Sequence, residues 1–392
     1  MSQERIIYVI PYTSIIDQTA EVFKQILGES AILESHCNVS YDFDEETMPQ
    51  ERAYICQKMK LASENWDVPI VVTTNEQFFE SLFSNKSSKC RKLHNIASSV
   101  IIMDECQMLP VEFLTPTLRA IEELVSYYRC TAVLCSATQP RLEKYLSIAP
   151  KEIMPNIQDL YNFFERVSYN VDGQMTYQEI EKALENNIQS LCVATTIKEA
   201  NEIYRCLQTN DHDAYYLSTR LCPEHRKKVI QEIKERLRNK LPCHVVSTSI
   251  ISVGVDVDFP VAYLQYSGLD SLIQGAGRCN REGKRSKGKS FAHVFWTEKS
   301  QNSHFMSKEK QASNMVMNYY TPANLAKPEA IDCYYRCWYK NNESGMDVEK
   351  IVEKSNDLAF ADIAKAYHLI PDKSKSVIIP YNEEAREIIC KC

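Results

Sequence analysis

The chain has 392 residues, 44% hydrophobic and 25% charged, the balance of an ordinary soluble globular protein with room for two domains and a short extra segment. Lys and Arg number 45 against 52 Asp and Glu, a net charge of −7, which argues against a wholly basic nucleic-acid coat but leaves room for a local basic groove. No apolar run approaches ~20 residues and Met1-Ser2-Gln3-Glu4-Arg5-Ile6 has no signal-peptide pattern, so no membrane span is expected and the expected compartment is the cytoplasm.

Short apolar runs alternate with helix-length amphipathic segments, which predicts an α/β fold of parallel sheets covered by helices. In chain order, strands are expected at Ile6–Ile10, Pro69–Val72, Val100–Met103, Thr131–Cys135, Ser190–Ala194, Ala214–Leu217, His244–Ser247, Val261–Tyr266 and Phe291–Trp296. Helices are expected at Ile15–Leu27, Glu51–Lys60, Glu76–Leu82, Pro110–Tyr128, Ile197–Leu207 and Glu224–Leu237. A first α/β block runs over 1–146 and a second over 147–297, joined through the Pro- and Asn-containing stretch Ile148–Asn170. Residues 297–330 read as a polar linker. The rest of 298–392 reads as a small appendage, with a helix near Glu349–Lys354 and a strand at Ser376–Pro380.

Fifteen cysteines are scattered singly, many inside apolar runs, without a Cys-x-x-Cys pair; reduced buried thiols are expected rather than zinc or disulfides. Asp211-His212-Asp213 reads as solvated surface.

The residues that carry chemistry fall at the C-terminal ends of expected strands, where open α/β sheets place ligand sites. Asp104 and Glu105 follow Val100-Ile101-Ile102-Met103. Such a carboxylate pair suits metal-nucleotide chemistry, one group holding Mg²⁺ and the next polarising an attacking water; taken alone, a solvated turn is the better reading. Ser136-Ala137-Thr138 ends the next strand and is weak by itself. Gln274, Gly277, Arg278 and Arg281 form the strongest motif: arginines three apart share a helical face, and guanidinium groups stabilise charge on a transferred phosphoryl group. Six of nine glycines lie between 254 and 288, which points to a backbone working close to a ligand or a neighbouring domain. Residues 283–290 fit the pattern G-x-x-x-x-G-K-S, yet they lead into a strand rather than opening a helix, so a phosphate loop is rejected there. As a basic loop (Lys284, Arg285, Lys287, Lys289) this stretch is either a nucleic-acid backbone contact or a solvated turn.

In order and spacing, these motifs resemble superfamily 2 helicases. Val9-Ile10-Pro11-Tyr12-Thr13-Ser14, Leu33-Glu34-Ser35-His36, Thr73-Thr74-Asn75-Glu76-Gln77, Asp104-Glu105-Cys106-Gln107 and Arg278-Cys279-Asn280-Arg281 narrow the resemblance to the CRISPR-associated helicase-nuclease of type I systems. The resemblance implies two RecA-like domains and an ATP-dependent, 3′-to-5′ single-stranded DNA translocase and helicase. It implies action on foreign DNA delivered by the RNA-guided surveillance complex, with ATP and Mg²⁺ as cofactors. By that resemblance Asp104 holds the metal, Glu105 acts on water and Gln107 couples. Ser136, Ala137 and Thr138 link hydrolysis to domain motion. Gln274, Gly277, Gly254, Asp256, Arg278 and Arg281 belong to the nucleotide side. Pro11, Tyr12, Thr73, Thr74, Thr195, Arg220 and Thr248 fall at strand-contacting positions.

The family's HD nuclease domain and glycine-rich phosphate loop have no counterpart in this sequence: residues 1–172 hold one glycine, Gly28. Ser252-Val253 stand where the family places Glu-Ala. Removing the phosphate-loop strand is expected to leave strands such as Val100–Met103 with an open edge and 1–146 loosely held alone. Three readings follow. The first is an ATP-driven DNA helicase, whole only with its N-terminal half. The second is a helicase remnant, or half of a split enzyme whose separate N-terminal polypeptide carries the nuclease and phosphate loop, that binds DNA or the surveillance complex without hydrolysis. The third is a general RNA or DNA helicase of the same superfamily.

Overall fold

The computed structural model describes residues 3–11, 13–36, 50–210, 213–252, 254–286, 288–300, 307–369 and 377–391. The chain divides into two compact units, Met1–Lys151 with Asn342–Ser374, and Glu152–Asn341 with Lys375–Cys392.

In the first unit β1 (Arg5–Ile10), β2 (Ile32–Ser35), β3 (Ile70–Thr74), β4 (Ser99–Met103) and β5 (Thr131–Leu134) form a parallel sheet in the order β2-β3-β1-β4-β5. The apolar runs become strands because both faces of the central ones are buried: Ile7, Val9, Val71, Val72 and Ile101 have no exposed surface. The helix Thr13–Leu27 lays Ile16 and Ala20 over Ile10, Ile32 and Val72. One expectation needs correcting. Val100–Met103 has no open edge, since β4 pairs with β1 on one side and β5 on the other. The open edge lies one strand over, on β5, where Thr131 is exposed and Ala132, Val133 and Leu134 are half-buried.

In the second unit β6 (Ser168–Gln174), β7 (Gln189–Val193), β8 (Ala214–Leu217), β9 (Cys243–Ser247), β10 (Val261–Gln265) and β11 (Phe291–Trp296) form a second parallel sheet, ordered β6-β11-β10-β7-β9-β8. β6 falls partly in the stretch expected as a connection; its polar sequence is tolerated because it is an edge strand. Much of the expected linker 297–330 is structured. Ser307 caps the helix Lys308–Tyr319, which buries Ala312 and Val316, and the helix Pro328–Asn342 buries Tyr334, Tyr335 and Trp338. Of the strand expected at Ser376–Pro380, Ser376 lies outside the described residues and 377–380 form none, with Val377 and Ile378 exposed.

Residues 342–369 return to the first unit. Thr115 N–H donates to the Met346 carbonyl at 3.0 Å and Val348 N–H to that of Glu112 at 3.2 Å. Tyr367, 1% exposed, stacks on Phe83 at 4.0 Å, touches Phe113 at 5.0 Å and shares a 2.8 Å hydrogen bond with the Thr117 hydroxyl. Truncating it leaves an aromatic-sized cavity, so Tyr367→Ala is expected to destabilise the first unit by about 3–5 kcal/mol in urea unfolding. A loss under about 1 kcal/mol would show that this segment is not part of the unit's core.

Candidate functional site

The parallel ladders run one residue past the strands. Asp104 N–H donates to the Val9 carbonyl at 2.9 Å, Cys135 N–H to Met103 at 2.9 Å and Cys106 N–H to Cys135 at 3.0 Å. These bonds set Asp104-Glu105 beside Ser136-Ala137-Thr138 at the C-terminal edge of the first sheet. Asp104 is half-buried; its Oδ1 accepts from the Glu105 N–H at 3.0 Å and its Oδ2 from the Tyr8 hydroxyl at 2.9 Å. Burial, then the Asp104 charge, pushes the Tyr8 phenol well above its ordinary range, so it stays a donor. Tyr8 is a site residue that sequence patterning misses. Its pairing opposite Ile102 brings it within reach of Asp104, and no sequence signal predicts that register.

Glu105 sits at φ 51°, ψ 46°, a left-handed conformation that a non-glycine residue adopts at a cost of about 1–3 kcal/mol and that recurs at functional sites. It starts a chain of side chains. Gln107, 3% exposed, donates from Nε2 to Glu105 Oε2 at 2.5 Å and accepts at Oε1 from the Ser136 hydroxyl at 2.5 Å. The Ser136 oxygen in turn accepts from the N–H of the fully buried Thr138 at 3.0 Å, while Ala137 is exposed. Three hydrogen bonds thus connect Glu105 to the next strand's loop. The carboxylate end of this site fits a magnesium-bound phosphate. A phosphate cradle does not follow from the described residues of this unit: Gly28, at φ 91°, comes directly after the helix Thr13–Leu27 and Gly345 ends the 3-10 turn Glu343–Gly345, so neither follows a strand to open a helix.

Among the expected strand contacts of the first unit, Pro11 is half-buried and Tyr12 lies outside the described residues. Thr73 has no exposed surface and donates to the Ser35 carbonyl at 2.7 Å; Thr74 caps the helix Asn75–Leu82, accepting from Gln77 N–H at 3.1 Å. Both hydroxyls serve the fold.

In the second unit Thr195 and Arg220 are exposed and Thr248 is buried. The helix Leu269–Ala276 carries Gln274 and ends at Gly277, so Arg278 and Arg281 do not share a helical face, contrary to expectation. Arg278, 7% exposed, turns inward and donates from Nε to the Ile251 carbonyl at 3.0 Å and from Nη2 to that of Ser252. Arg281 is exposed; its Nε meets Asp256 Oδ1 at 2.7 Å and its N–H meets Asp258 at 2.8 Å. Gly254, at φ 77°, makes the turn before Asp256. Residues 283–290 open no helix. Arg285 reaches back to Asp258 at 2.9 Å, Lys284 pairs with Glu282, and Lys287 is outside the described residues. Removing Arg278 strands two buried carbonyls, so Arg278→Ala is expected to cost about 1–3 kcal/mol by thermal melting, whereas Arg281→Ala stays within about 0.5 kcal/mol. Equal losses would contradict this division of labour.

Two family models match the chain: DEAD/DEAH box helicase over residues 1–145, and CRISPR-associated nuclease/helicase Cas3, C-terminal, over 186–284. A CRISPR-associated nuclease/helicase Cas3 of Haloferax volcanii is 24% identical over 381 residues, covering 70% of this chain and 41% of its own. The chain thus spans less than half of that relative's length. The crystal structure of T. fusca Cas3 matches with TM-score 0.66 at 16% identity, over 94% of this chain and 50% of that one; that protein has also been solved with ADP and with ATP. A chain of a CRISPR RNA-guided surveillance complex in a pre-nicking state matches with TM-score 0.58 at 16% identity, over 94% of this chain and 48% of its own. The two parallel sheets are accordingly those of tandem RecA-like domains, and the chain is similar over its first part to DEAD/DEAH box helicases and over its second to the C-terminal part of the CRISPR-associated nuclease/helicases Cas3.

Proposed function

We propose that this chain is the motor module of an ATP-dependent single-stranded DNA translocase and helicase, acting on foreign DNA with the RNA-guided surveillance complex of type I CRISPR defence in the cytoplasm. The observation that carries the reading is the unbroken chain Glu105–Gln107–Ser136–Thr138, which joins the water-activating carboxylate to the loop of the neighbouring strand. Bound Mg²⁺ would draw charge from the phosphates. Asp104 is the residue here that would hold it, with its carboxylate oriented by Tyr8 and the Glu105 N–H. Glu105 would polarise water, and Arg281, together with Gln274, Gly277, Gly254 and Asp256, would serve the nucleotide side. Arg278 supports that side by holding the Ile251–Ser252 backbone. Strand contact falls to Pro11, Tyr12, Thr195, Arg220 and Thr248, through backbone and hydroxyl groups that read no sequence. Thr73 and Thr74 shape the loop behind them.

A second reading is favoured by the open edge of β5 and by the lack, among the first unit's described residues, of a glycine loop leading from a strand into a helix. In it the chain is half of a split enzyme, or a binder without hydrolysis, and a separate N-terminal polypeptide brings the phosphate loop and the nuclease.

ATP hydrolysis by this chain, with and without single-stranded DNA and beside Glu105→Gln, separates the two. DNA-stimulated turnover that falls about 10²-fold or more in Glu105→Gln is the expected result for the motor. DNA binding without turnover selects the second reading, and the absence of both sinks the two together.

A further inference from the structure

At the C-terminal ends of β7, β9 and β10 the second unit holds a cavity of about 220 Å³, bordered by Thr195, Ser249, Ser252, Ser267 and Ser271, residues that each carry a hydroxyl. One wall is fixed by buried polar bonds. Gln265, 2% exposed, accepts at Oε1 from the Thr195 N–H at 2.8 Å and from the Thr195 hydroxyl at 3.1 Å. Its Nε2 donates to Glu199 Oε1 at 2.7 Å, which settles which end of the amide is oxygen. The same Glu199 oxygen accepts from the Thr297 hydroxyl at 2.7 Å. The loop after β7 is thereby tied to the ends of β10 and β11.

Lys310 borders this cavity. It comes from the helix Lys308–Tyr319, inside the segment that composition reads as a linker. Its backbone is held there: Lys310 N–H donates to the Ser307 hydroxyl at 3.3 Å, and its carbonyl accepts from the Tyr266 hydroxyl at 3.1 Å. The side chain is half-buried, and among the described residues its ammonium has no hydrogen-bond or ion-pair partner. Glu199 and Glu309 act on it at longer range; Glu309 is exposed at the rim. Burial pushes the ammonium below the ordinary lysine range, so an anionic group entering the cavity would regain charge interaction that burial has cost.

We propose that this cavity takes one sugar–phosphate unit of single-stranded DNA, with Lys310 as its charge partner and the Thr195 loop, fixed by Gln265 and Glu199, as its hydroxyl-bearing wall. The proposal rests on the strand-binding reading above and adds a contact from outside the expected motif positions.

The test is fluorescence anisotropy of a fluorescein-labelled oligothymidylate with the full chain across a salt series, for wild type, Lys310→Gln, Lys310→Arg and Lys308→Gln. Lys308 is exposed on the same helix, outside the cavity lining. Each neutralised phosphate of a single strand contributes about 0.7 to the slope of log K against log salt; Lys310→Gln is therefore expected to lose about 0.7 of slope and about fivefold in affinity at 0.1 M salt, that slope taken over one decade from 1 M. Lys310→Arg is expected to keep the slope, Lys308→Gln to match wild type, and all four to melt alike. Lys310→Gln indistinguishable from Lys308→Gln overturns the cavity assignment and leaves the strand-binding reading standing. A lower melting temperature for Lys310→Gln together with a lost slope for Lys310→Arg overturns it too, as the mark of a structural lysine. Wild type that binds no oligonucleotide overturns both.

Discussion

Three backbone hydrogen bonds just beyond the ends of β1, β4 and β5 govern the first unit's chemistry. Asp104 to Val9, Cys135 to Met103 and Cys106 to Cys135 carry the parallel ladder past the last strand residues before the loops diverge. Without them the acidic pair and the Ser-Ala-Thr loop would be neighbours in sheet order only. With them, Gln107 is close enough to bond Glu105 and Ser136 at once. The buried strands specify the register, since slipping a parallel strand by one residue would turn Ile7, Ile101 and Met103 out of their packing. Packing in the core therefore sets functional geometry to within a hydrogen bond's tolerance.

The second unit shows how charge and conformation divide work inside one motif. Arg278 and Arg281 lie three residues apart, yet one braces the Ile251–Ser252 backbone and the other stands at the surface beside Asp256. Gly277 ends the helix between Gln274 and Arg278, and that break separates the two arginines. The nearby glycines have local reasons as well. A Cβ at Gly268 would lie 2.5 Å from the Asp270 carboxylate and 2.6 Å from the Tyr334 hydroxyl, and one at Gly275 would lie 2.8 Å from Leu264. Two of the six clustered glycines thus answer to close packing inside the unit, while Gly254, Gly283 and Gly288 take positive φ.

Most of the fold was legible because its signal is local. Nine apolar runs became strands, each within two residues of its expected bounds, and the six expected helices formed. What was missed had weak or overlooked local signals. β2 and β6 are edge strands whose composition is half polar. The helix Tyr177–Glu185 carries a capping box, Thr176 with Glu179, a signal present in the sequence but confined to four residues. The helices after Ser307 and at Pro328 hide in a polar stretch whose buried apolar residues, Ala312 and Val316, then Ala330, Ile331, Tyr334, Tyr335 and Trp338, are spaced for one face. The candidate site was legible as a set of motif positions, because spacing orders them along the chain. The roles of Tyr8, Gln265 and Lys310 were not, because each depends on register or on a neighbour more than 40 residues away.

Threonines at the ends of parallel strands show why motif position and ligand contact come apart. A strand end leaves carbonyl and N–H groups without ladder partners, and the nearest hydroxyl satisfies them first. Thr73 gives its proton to Ser35, Thr74 accepts from Gln77, and Thr195 gives its N–H and its hydroxyl proton to Gln265. A hydroxyl so committed offers a strand its lone pairs, and it donates to a phosphate only by breaking an internal bond. Donors for a phosphate must then come from groups with no such duty, among which, in the described residues of the second unit, are the exposed Arg220 and the half-buried Lys310. The hydroxyls shape the surface the strand meets, while charge from outside the motif positions supplies the attraction.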